Sequence, residues 1–497
     1  MPELLQEVHA LGTRLGSQLA GLDSAALPPD DQRALGIIRQ GLMAIAALQA
    51  PSDVPPPGRS ADPAVAPGFC RYDQAALIRA DQGEAVLSGR IMACYAHEAQ
   101  NIRVAGTRLD RLTILSLLAT TDSRAERRRF FLALDPVWRA VNGDGRATSP
   151  WRTLTRHRVE HWRSADDLPQ LVRARGLGLP LDTVSSWLTQ ILDAWRVGQP
   201  DTTLEPWDYY YVVGAASRRL APRIPREQLQ DLTRGWYGAL GADLDAMRLR
   251  YDLEPRPGKT AVAFTDFGAR PHRAGEGWDP GEPWVFATYR VGGLDNLVEL
   301  LHETGHGVHI ASIRTRPAYA DWPDSDTFTE ALADLVSLEA YDPLWQLRML
   351  GDSAPRAEGL RGKYGGVVLD VAWSLFEIRM FKDPTQDPNQ VWSGITSQYL
   401  RIKPHPELSW WAMRGQLVES PGYMLNYGLG SVLTAQLRAR IRALRGDWVA
   451  GDPGWYRWVR DQIYRFGLER PTSVVLRDFL GAALSPDAIL ADLRAER

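Results

Sequence analysis

Residues 294–310, LDNLVELLHETGHGVHI, are the segment that most limits how this chain can fold. Apolar residues recur at positions 294, 297, 298 and 301, which is the stripe of an amphipathic α-helix. On such a helix His302 and His306 are one turn apart and point the same way. Two imidazoles at this spacing can share one zinc ion. The segment therefore predicts a metal-binding helix packed against a helical core.

A zinc site of this kind needs a third protein ligand and an open fourth position for water. Glu330 lies in the segment SDTFTEALADL, residues 325–335, which predicts the start of a second helix. We predict that Glu330 is the third ligand. The alternative is a capping box, in which Thr327 and Glu330 only satisfy backbone donors at the helix start.

Two further carboxylates belong to this pattern. Glu303 follows the first histidine directly, where a general base for a metal-bound water is expected. Asp334 lies one turn beyond Glu330, where it either hydrogen-bonds a ligand imidazole or is an ordinary exposed helix residue. Zinc would lower the pKa of its water toward about 7, and Glu303 would take the proton as the water attacks a carbonyl. A tyrosine hydroxyl is a candidate donor to the oxygen that becomes negative.

The charge balance excludes several classes of protein. The chain has 57 Lys and Arg against 60 Asp and Glu, a net charge of -3, which argues against nucleic-acid and anionic-membrane partners. Charged residues interrupt the N-terminus, so no secretory signal is expected, and no apolar stretch is long enough to span a membrane. We expect a cytoplasmic protein, and the sequence indicates no oligomeric state.

A length of 497 residues is too great for one compact core, so two or more lobes are expected. The predicted fold is mainly α, large and two-lobed, with a small β-sheet next to the zinc helix. Strands are predicted over residues 259–267 and 284–291. The predicted divisions are an N-terminal helical segment (1–50), a Pro-rich linker (51–68), a helical lobe (69–254) and a zinc-binding catalytic lobe (255–497).

The motifs HETGHGVH and TFTEALADL resemble the gluzincin zinc metallopeptidases of the oligoendopeptidase F and thimet oligopeptidase group, and angiotensin-converting enzyme. These families place the glutamate ligand about 24 residues beyond the second histidine, which is the spacing of His306 and Glu330 (330 − 306 = 24). By the same resemblance, Asp334 supports a ligand histidine and His309 matches an additional histidine of the signature. The resemblance implies one Zn²⁺ deep in a central cleft and short peptides as substrates.

Two other stretches extend the resemblance. Residues 261–264, AVAF, are similar to the edge strand on which these enzymes lay an extended substrate, so Ala261 and Ala263 are expected to offer backbone hydrogen bonds. Residues 422–441 resemble the tyrosine-bearing helix, so Tyr427 or Tyr423 is expected to supply the oxyanion donor.

The sequence also departs from those families. Residues 413–422 contain no histidine, although the families usually carry one there. Two alternatives to an oligopeptidase therefore stay open: a catalytically inactive zinc-binding scaffold of peptidase descent, and a thermolysin- or aminopeptidase-like gluzincin. The intact Glu303 counts against the scaffold, and the long spacing to Glu330 counts against the second alternative.

Overall fold

The computed structural model describes residues 83–165, 177–256, 259, 262–315 and 322–495. All of them belong to one compact unit, formed by residues 61–315 and 321–497. The predicted N-terminal segment, 1–50, and the Pro-rich linker, 51–68, lie outside the described residues. The division of the remainder into two lobes stays a prediction.

Helices dominate the described residues, which confirms the prediction of a mainly α fold. In the first half they are α1 (Gly83–Gln100), α2 (Arg111–Thr120), α3 (Arg124–Leu132), α4 (Asp135–Asn142), α5 (Pro150–Ala165), α6 (Leu181–Gly198), α7 (Pro206–Val213), α8 (Ala215–Leu220) and α9 (Leu229–Ala239). In the second half they are α10 (Leu294–Ser312), α11 (Asp326–Ser337), α12 (Pro343–Leu350), α13 (Arg356–Lys382), α14 (Pro388–Leu400), α15 (Gln416–Glu419), α16 (Leu425–Arg445), α17 (Trp455–Val459), α18 (Thr472–Leu480) and α19 (Asp487–Ala495).

Short strands form three small sheets. They are β1 (Ile102–Val104), β2 (Thr107–Leu109), β3 (Arg250–Asp252), β4 (Phe264–Ala269), β5 (His272–Ala274), β6 (Gly277–Asp279) and β7 (Glu282–Phe286). In the three-stranded sheet β7 is central, with β3 parallel on one side and β4 antiparallel on the other. The outer edge of β4 is therefore left without a neighbouring strand among the described residues. This sheet packs on α10, as the prediction of a small sheet beside the metal-binding helix requires.

The predicted strands are shorter than expected. The strand predicted over 284–291 is β7, which ends at Phe286 because both of its partners stop there, at Asp252 of β3 and Phe264 of β4. Beyond that point no strand of the described residues continues the ladder. The strand predicted over 259–267 begins only at Phe264, and the Gly- and Pro-rich stretch that follows carries the hairpin of β5 and β6.

Helix α10 begins at the Gly292-Gly293 pair. Gly293 is the residue before the helix and has a φ of 102°, a conformation that favours glycine. A Cβ on Gly292 would lie 1.9 Å from the carbonyl oxygen of Ile224, so this position also needs glycine. The turn directs α10 into the core, where Leu297, Leu300 and Leu301 are fully buried.

The two predicted metal-binding helices, α10 and α11, pack directly against each other, and α16 packs on the other side of α11. At the crossing of α10 and α11 a Cβ on Gly305 would lie 2.7 Å from the carbonyl oxygen of Ala333. Real Cβ atoms essentially never approach another atom so closely. The lack of a side chain at Gly305 thus lets the two helices approach at the level of the histidines. Within the described residues, no helix combines the length and apolarity needed to cross a membrane.

Candidate metal centre and cleft

Three side chains from α10 and α11 converge on one point. The Nε2 atoms of His302 and His306 are 3.2 Å apart. The Oε2 atom of Glu330 lies 3.3 Å from the first of these nitrogens and 3.7 Å from the second. Among the described residues, this is the one group of three His, Cys, Asp or Glu side chains arranged to hold a metal ion. Two imidazoles and one carboxylate are a donor set that suits zinc.

The orientation of His302 is set by Asp334. The Nδ1 atom of His302 lies 2.8 Å from Oδ1 of Asp334, which also accepts a hydrogen bond from Ser337 at 3.0 Å. A carboxylate at this nitrogen favours the tautomer in which Nδ1 carries the proton, and the lone pair of Nε2 then faces the other two side chains. The structure therefore places Asp334 where a ligand imidazole needs its support.

The Glu330 carboxylate fits a metal ligand better than a free side chain. Its Oε2 atom is buried and has no hydrogen-bond partner among the described residues, which is costly unless a ligand satisfies it. Burial opposes its ionisation, but the nearby His302 and His306 imidazoles hold the pKa of Glu330 well below its usual range. For His302, burial acts to lower the pKa of the imidazole. The nearby Asp334 and Glu330 carboxylates have the larger effect, so the pKa of His302 is raised.

The capping-box alternative for Glu330 does not match the geometry. Helix α11 is capped by Ser325, whose side chain accepts a hydrogen bond from the backbone N–H of Phe328 at 3.2 Å. Thr327 is fully buried inside the helix and hydrogen-bonds Asn426 instead. Three residues after the cap is position 328, so Glu330 is two residues too far along the helix to belong to a capping box.

Glu303 is held by a residue that the sequence pattern did not single out. The Glu303 side chain is buried, and Thr265 of β4 lies with its hydroxyl 2.7 Å from Oε2 of the carboxylate and 2.8 Å from the backbone oxygen of the same glutamate. The sheet thus touches the metal-binding helix at the predicted base. Thr265 fixes the direction of the Glu303 carboxylate.

His309 occupies a different environment from the other two histidines of α10. It is fully buried between the rings of Trp322, Phe328 and Tyr464. Neither of its ring nitrogens has a hydrogen-bond partner among the described residues. Burial, helped by the charge of nearby His306, lowers the pKa of His309 to about 3. No described hydrogen bond joins it to a metal ligand, so its supporting role stays a prediction.

A cavity of about 450 Å³ opens onto the metal-binding group. Its walls come from α1, the start of β4, α10, α11, α15 and the start of α16. Besides His302, Glu303, His306 and Glu330, the lining residues are Met92, Tyr95, Ala96, Ala99, Val262, Ala263, Phe264, Thr265, Phe267, Ile310, Trp322, Asp326, Thr329, Gly415, Gln416, Glu419, Tyr423 and Tyr427. The structure therefore brings the three predicted metal ligands, the predicted base and both predicted tyrosines into one cavity. Ala263 lines it just before β4, whereas Ala261 lies outside the described residues.

The two tyrosines differ in their electrostatic surroundings. Burial raises the pKa of both hydroxyls, as do nearby carboxylates. Around Tyr423 these carboxylates are Glu330, Glu419 and Asp326. Around Tyr427 they are Glu330 and Asp370. Tyr427 also lies near the cation of Arg414, whose guanidinium carbon is 5.8 Å from the centre of the Tyr427 ring.

The backbone on both sides of Tyr423 is anchored by a buried carboxylate of α13. Glu377 is fully buried and accepts hydrogen bonds from the backbone N–H groups of Gly422 and Met424, at 2.7 and 3.0 Å. No local pattern in the sequence indicates this contact, because the partners are 45 and 47 residues apart. Glu377 thereby fixes where α16 begins and where its tyrosines enter the cavity.

The fold is similar to that of several solved peptidase structures. An M32 carboxypeptidase from Deinococcus radiodurans R1 aligns over 99% of this chain and 97% of its own, with 15% identity and a TM-score of 0.52. A protein provisionally assigned as oligoendopeptidase F aligns over 94% of this chain and 84% of its own, with 16% identity and a TM-score of 0.61. PZ peptidase A aligns over 94% and 85%, with 14% identity and a TM-score of 0.53. The sequence matches no protein-family model and no curated protein.

At these identities the likeness shows a shared fold. The chain thus has the helical fold of these peptidases, and a His-His-Glu group lines the cavity described above. What this group does follows from its own geometry and is treated next.

Proposed function

We propose that the chain is a zinc-dependent metallopeptidase that hydrolyses short peptides. The observation that carries the proposal is the meeting of one donor set, His302, His306 and Glu330, with the Glu303 carboxylate in a single cavity. A purely structural zinc site has no use for a carboxylate base beside an open cavity. The motif resemblance and the shared fold with peptidases support the same function.

The residues of the site have different roles in this reaction. Zinc bound by His302, His306 and Glu330 would act as a Lewis acid and lower the pKa of a water molecule. Glu303 accepts the proton of the attacking water and then donates it to the leaving amine. Its carboxylate is kept in one orientation by the Thr265 hydroxyl, which reduces the reorganisation that each proton transfer requires.

We assign the hydrogen bond to the developing oxyanion to Tyr427 rather than Tyr423. An oxyanion beside Tyr423 would be repelled by Asp326 and Glu419 as well as by Glu330. Near Tyr427 the Arg414 cation offsets part of the negative charge. A hydroxyl aimed at the forming charge in a partly water-excluded site contributes strongly to catalysis.

The substrate class follows from the size of the cavity. About 450 Å³ holds a few residues of an extended chain and no folded domain. Peptides would lie along the outer edge of β4, which pairs with no other strand among the described residues, with Ala263 just before that strand.

The variant Glu303→Gln tests the proposal. The amide keeps the size of the side chain and cannot act as a base, so zinc should stay bound at one ion per chain while peptide cleavage falls by about 10²–10⁴-fold. Cleavage of a mixed peptide library by mass spectrometry and zinc content by elemental analysis provide the two measurements.

A matched control is Glu276→Gln, at an exposed position outside the cavity, which should change neither measurement. Chelation should abolish cleavage by the wild type, and added zinc should restore it. A wild-type protein that binds zinc and cleaves no peptide of the library would contradict the proposed function.

A further inference from the structure

Among the described residues that line the cavity, carboxylates are present and Lys and Arg are not. The four carboxylates are those of Glu303, Asp326, Glu330 and Glu419. Glu330 belongs to the metal-binding group and Glu303 to the chemistry. Asp326 and Glu419 belong neither to the metal-binding group nor to the proposed chemistry.

Asp326 and Glu419 determine the net charge of the cavity once a metal ion is bound. A doubly charged cation held by one carboxylate and two neutral imidazoles would leave the centre with one net positive charge, which Glu303 cancels. The remaining lining charge then comes from Asp326 and Glu419 and is negative. Between low-dielectric walls such a field is focused rather than dispersed into solvent.

Glu419 is the better placed of the two to act on a ligand. Asp326 lies in the first turn of α11, where a carboxylate also stabilises the positive end of a helix. Glu419 ends the short helix α15 and makes no hydrogen bond or ion pair with another described residue. It is exposed to the cavity that it lines, and the surrounding walls raise the pKa of its carboxyl by desolvation.

The position of Glu419 relates it to the metal-binding group. Tyr423 lies within the electrostatic reach of Glu330, Glu419 and Asp326 together. Glu419 and the metal-binding group also line the same cavity, so a peptide bound at the metal-binding group shares that cavity with the Glu419 carboxylate. Aromatic rings of Tyr95, Trp322 and Tyr423 also line the cavity, and such rings favour cations over anions.

We propose, on the basis of the proposed peptidase function, that Glu419 makes the cleft select peptides with a positively charged side chain beside the scissile bond. The attraction is a charge pair in a confined, partly desolvated cleft. A glutamate or aspartate at the same place in the substrate meets repulsion from Glu419 and Asp326.

The test uses internally quenched peptides that are identical except for one residue, Lys, Gln or Glu, placed on either side of the cleaved bond. For the wild type, kcat/KM at the sensitive position should fall from Lys to Gln to Glu by about three- to tenfold per step. Glu419→Gln should bring the three peptides to within about twofold of one another, and Glu419→Lys should reverse their order. The control Glu276→Lys changes the net charge equally at an exposed site outside the cavity and should keep the wild-type order.

A binding measurement separates this inference from the proposed function. The same peptides, labelled for fluorescence anisotropy, are titrated onto the zinc-loaded Glu303→Gln variant with and without Glu419→Gln. If the wild type cleaves none of the peptides, the proposed function is wrong. The order of affinities for the Lys, Gln and Glu peptides still tests the charge preference in that case. Equal binding and equal cleavage of the Lys and Glu peptides by protein with an intact Glu419 would overturn the inference.

Discussion

Gly305 of α10 meets the backbone of Ala333 of α11 so closely that an added Cβ would lie 2.7 Å from the Ala333 carbonyl oxygen. This contact lies between His302 and His306 on one helix and beside Asp334 on the other. The proposed metal-binding group therefore depends on a residue that has no side chain and no chemistry of its own.

Replacing Gly305 by alanine should force α10 and α11 apart. We expect a loss of about 1–3 kcal/mol in the free energy of unfolding, as for other overpacked cores, together with weaker zinc binding. Urea unfolding of the zinc-free protein and competition with a chelator measure the two effects. The control is Gly366→Ala in α13, where nothing lies within 4 Å of an added Cβ; there alanine should be neutral or stabilise by about 0.4–1 kcal/mol. Wild-type stability and zinc affinity in the Gly305 variant would contradict the account of the helix contact.

The variant Asp334→Asn should weaken zinc binding without unfolding the protein. The amide removes the charge that makes the His302 imidazole a stronger ligand and that selects its tautomer. Losses of such partners typically reduce metal affinity by about 10–100-fold. Competition with a chromogenic chelator at constant pH gives the affinity, and Asp231→Asn, at an exposed site on α9, serves as the control. An unchanged affinity would mean that the 2.8 Å contact has no part in zinc binding.

The buried imidazole of His309, which has no hydrogen-bond partner among the described residues, should make the protein sensitive to acid. Burial lowers the pKa of His309 to about 3, against about 6.5 in an unfolded chain. Between these values the unfolded chain takes up a proton that the folded chain refuses, so stability from this residue is complete above pH 6.5 and falls as the pH drops. At pH 5 the loss is about 2 kcal/mol.

The variant His309→Phe should remove this part of the pH dependence. Unfolding free energies of the zinc-free variant and wild type, measured from pH 7.5 to pH 5, should diverge by about 2 kcal/mol in favour of the variant. A packing defect caused by the larger ring would lower the free energy of unfolding by the same amount at every pH. The difference between pH 7.5 and pH 5 would therefore remain. Zinc affinity at neutral pH should not change. If it falls, His309 supports the metal ligands, as the family resemblance implies.

The tyrosine variants test the assignment of the oxyanion donor. Tyr427→Phe should lower kcat by about 10²–10³-fold with zinc content unchanged, because it removes a donor that acts mainly in the transition state. Tyr423→Phe should have a smaller effect that falls mostly on KM. Steady-state kinetics with one quenched peptide measures both variants, and the reverse ranking would transfer the role to Tyr423.

Local signals in the sequence predicted much of this molecule. The apolar stripe of residues 294–310 predicted a helix, and the structure has α10 there, at Leu294–Ser312. The helix start predicted within residues 325–335 is that of α11, Asp326–Ser337. The spacing of His302 and His306 predicted that they share a helix face, and the Glu330–Asp334 pair lies where that pattern placed it. These features succeed because each depends on residues within a few positions of one another.

The features that the sequence did not indicate are contacts between distant segments. Thr265 reaches Glu303 across 38 residues, and Glu377 reaches Gly422 across 45. Neither residue type nor local pattern distinguishes Thr265 from any other strand threonine. The pairing of Gly305 with Ala333 is likewise set by how two helices cross, and one sequence alone does not show it.

The central claim is that His302, His306 and Glu330 hold one zinc ion. Diffraction data collected above and below the zinc absorption edge, from crystals of protein purified without added chelator, test it most directly. The account predicts one anomalous peak per chain, bonded to an imidazole nitrogen of each histidine and to the Glu330 carboxylate, which disappears in a His306→Ala variant. A zinc peak bonded to other residues, or no peak in protein that cleaves peptides, would contradict it.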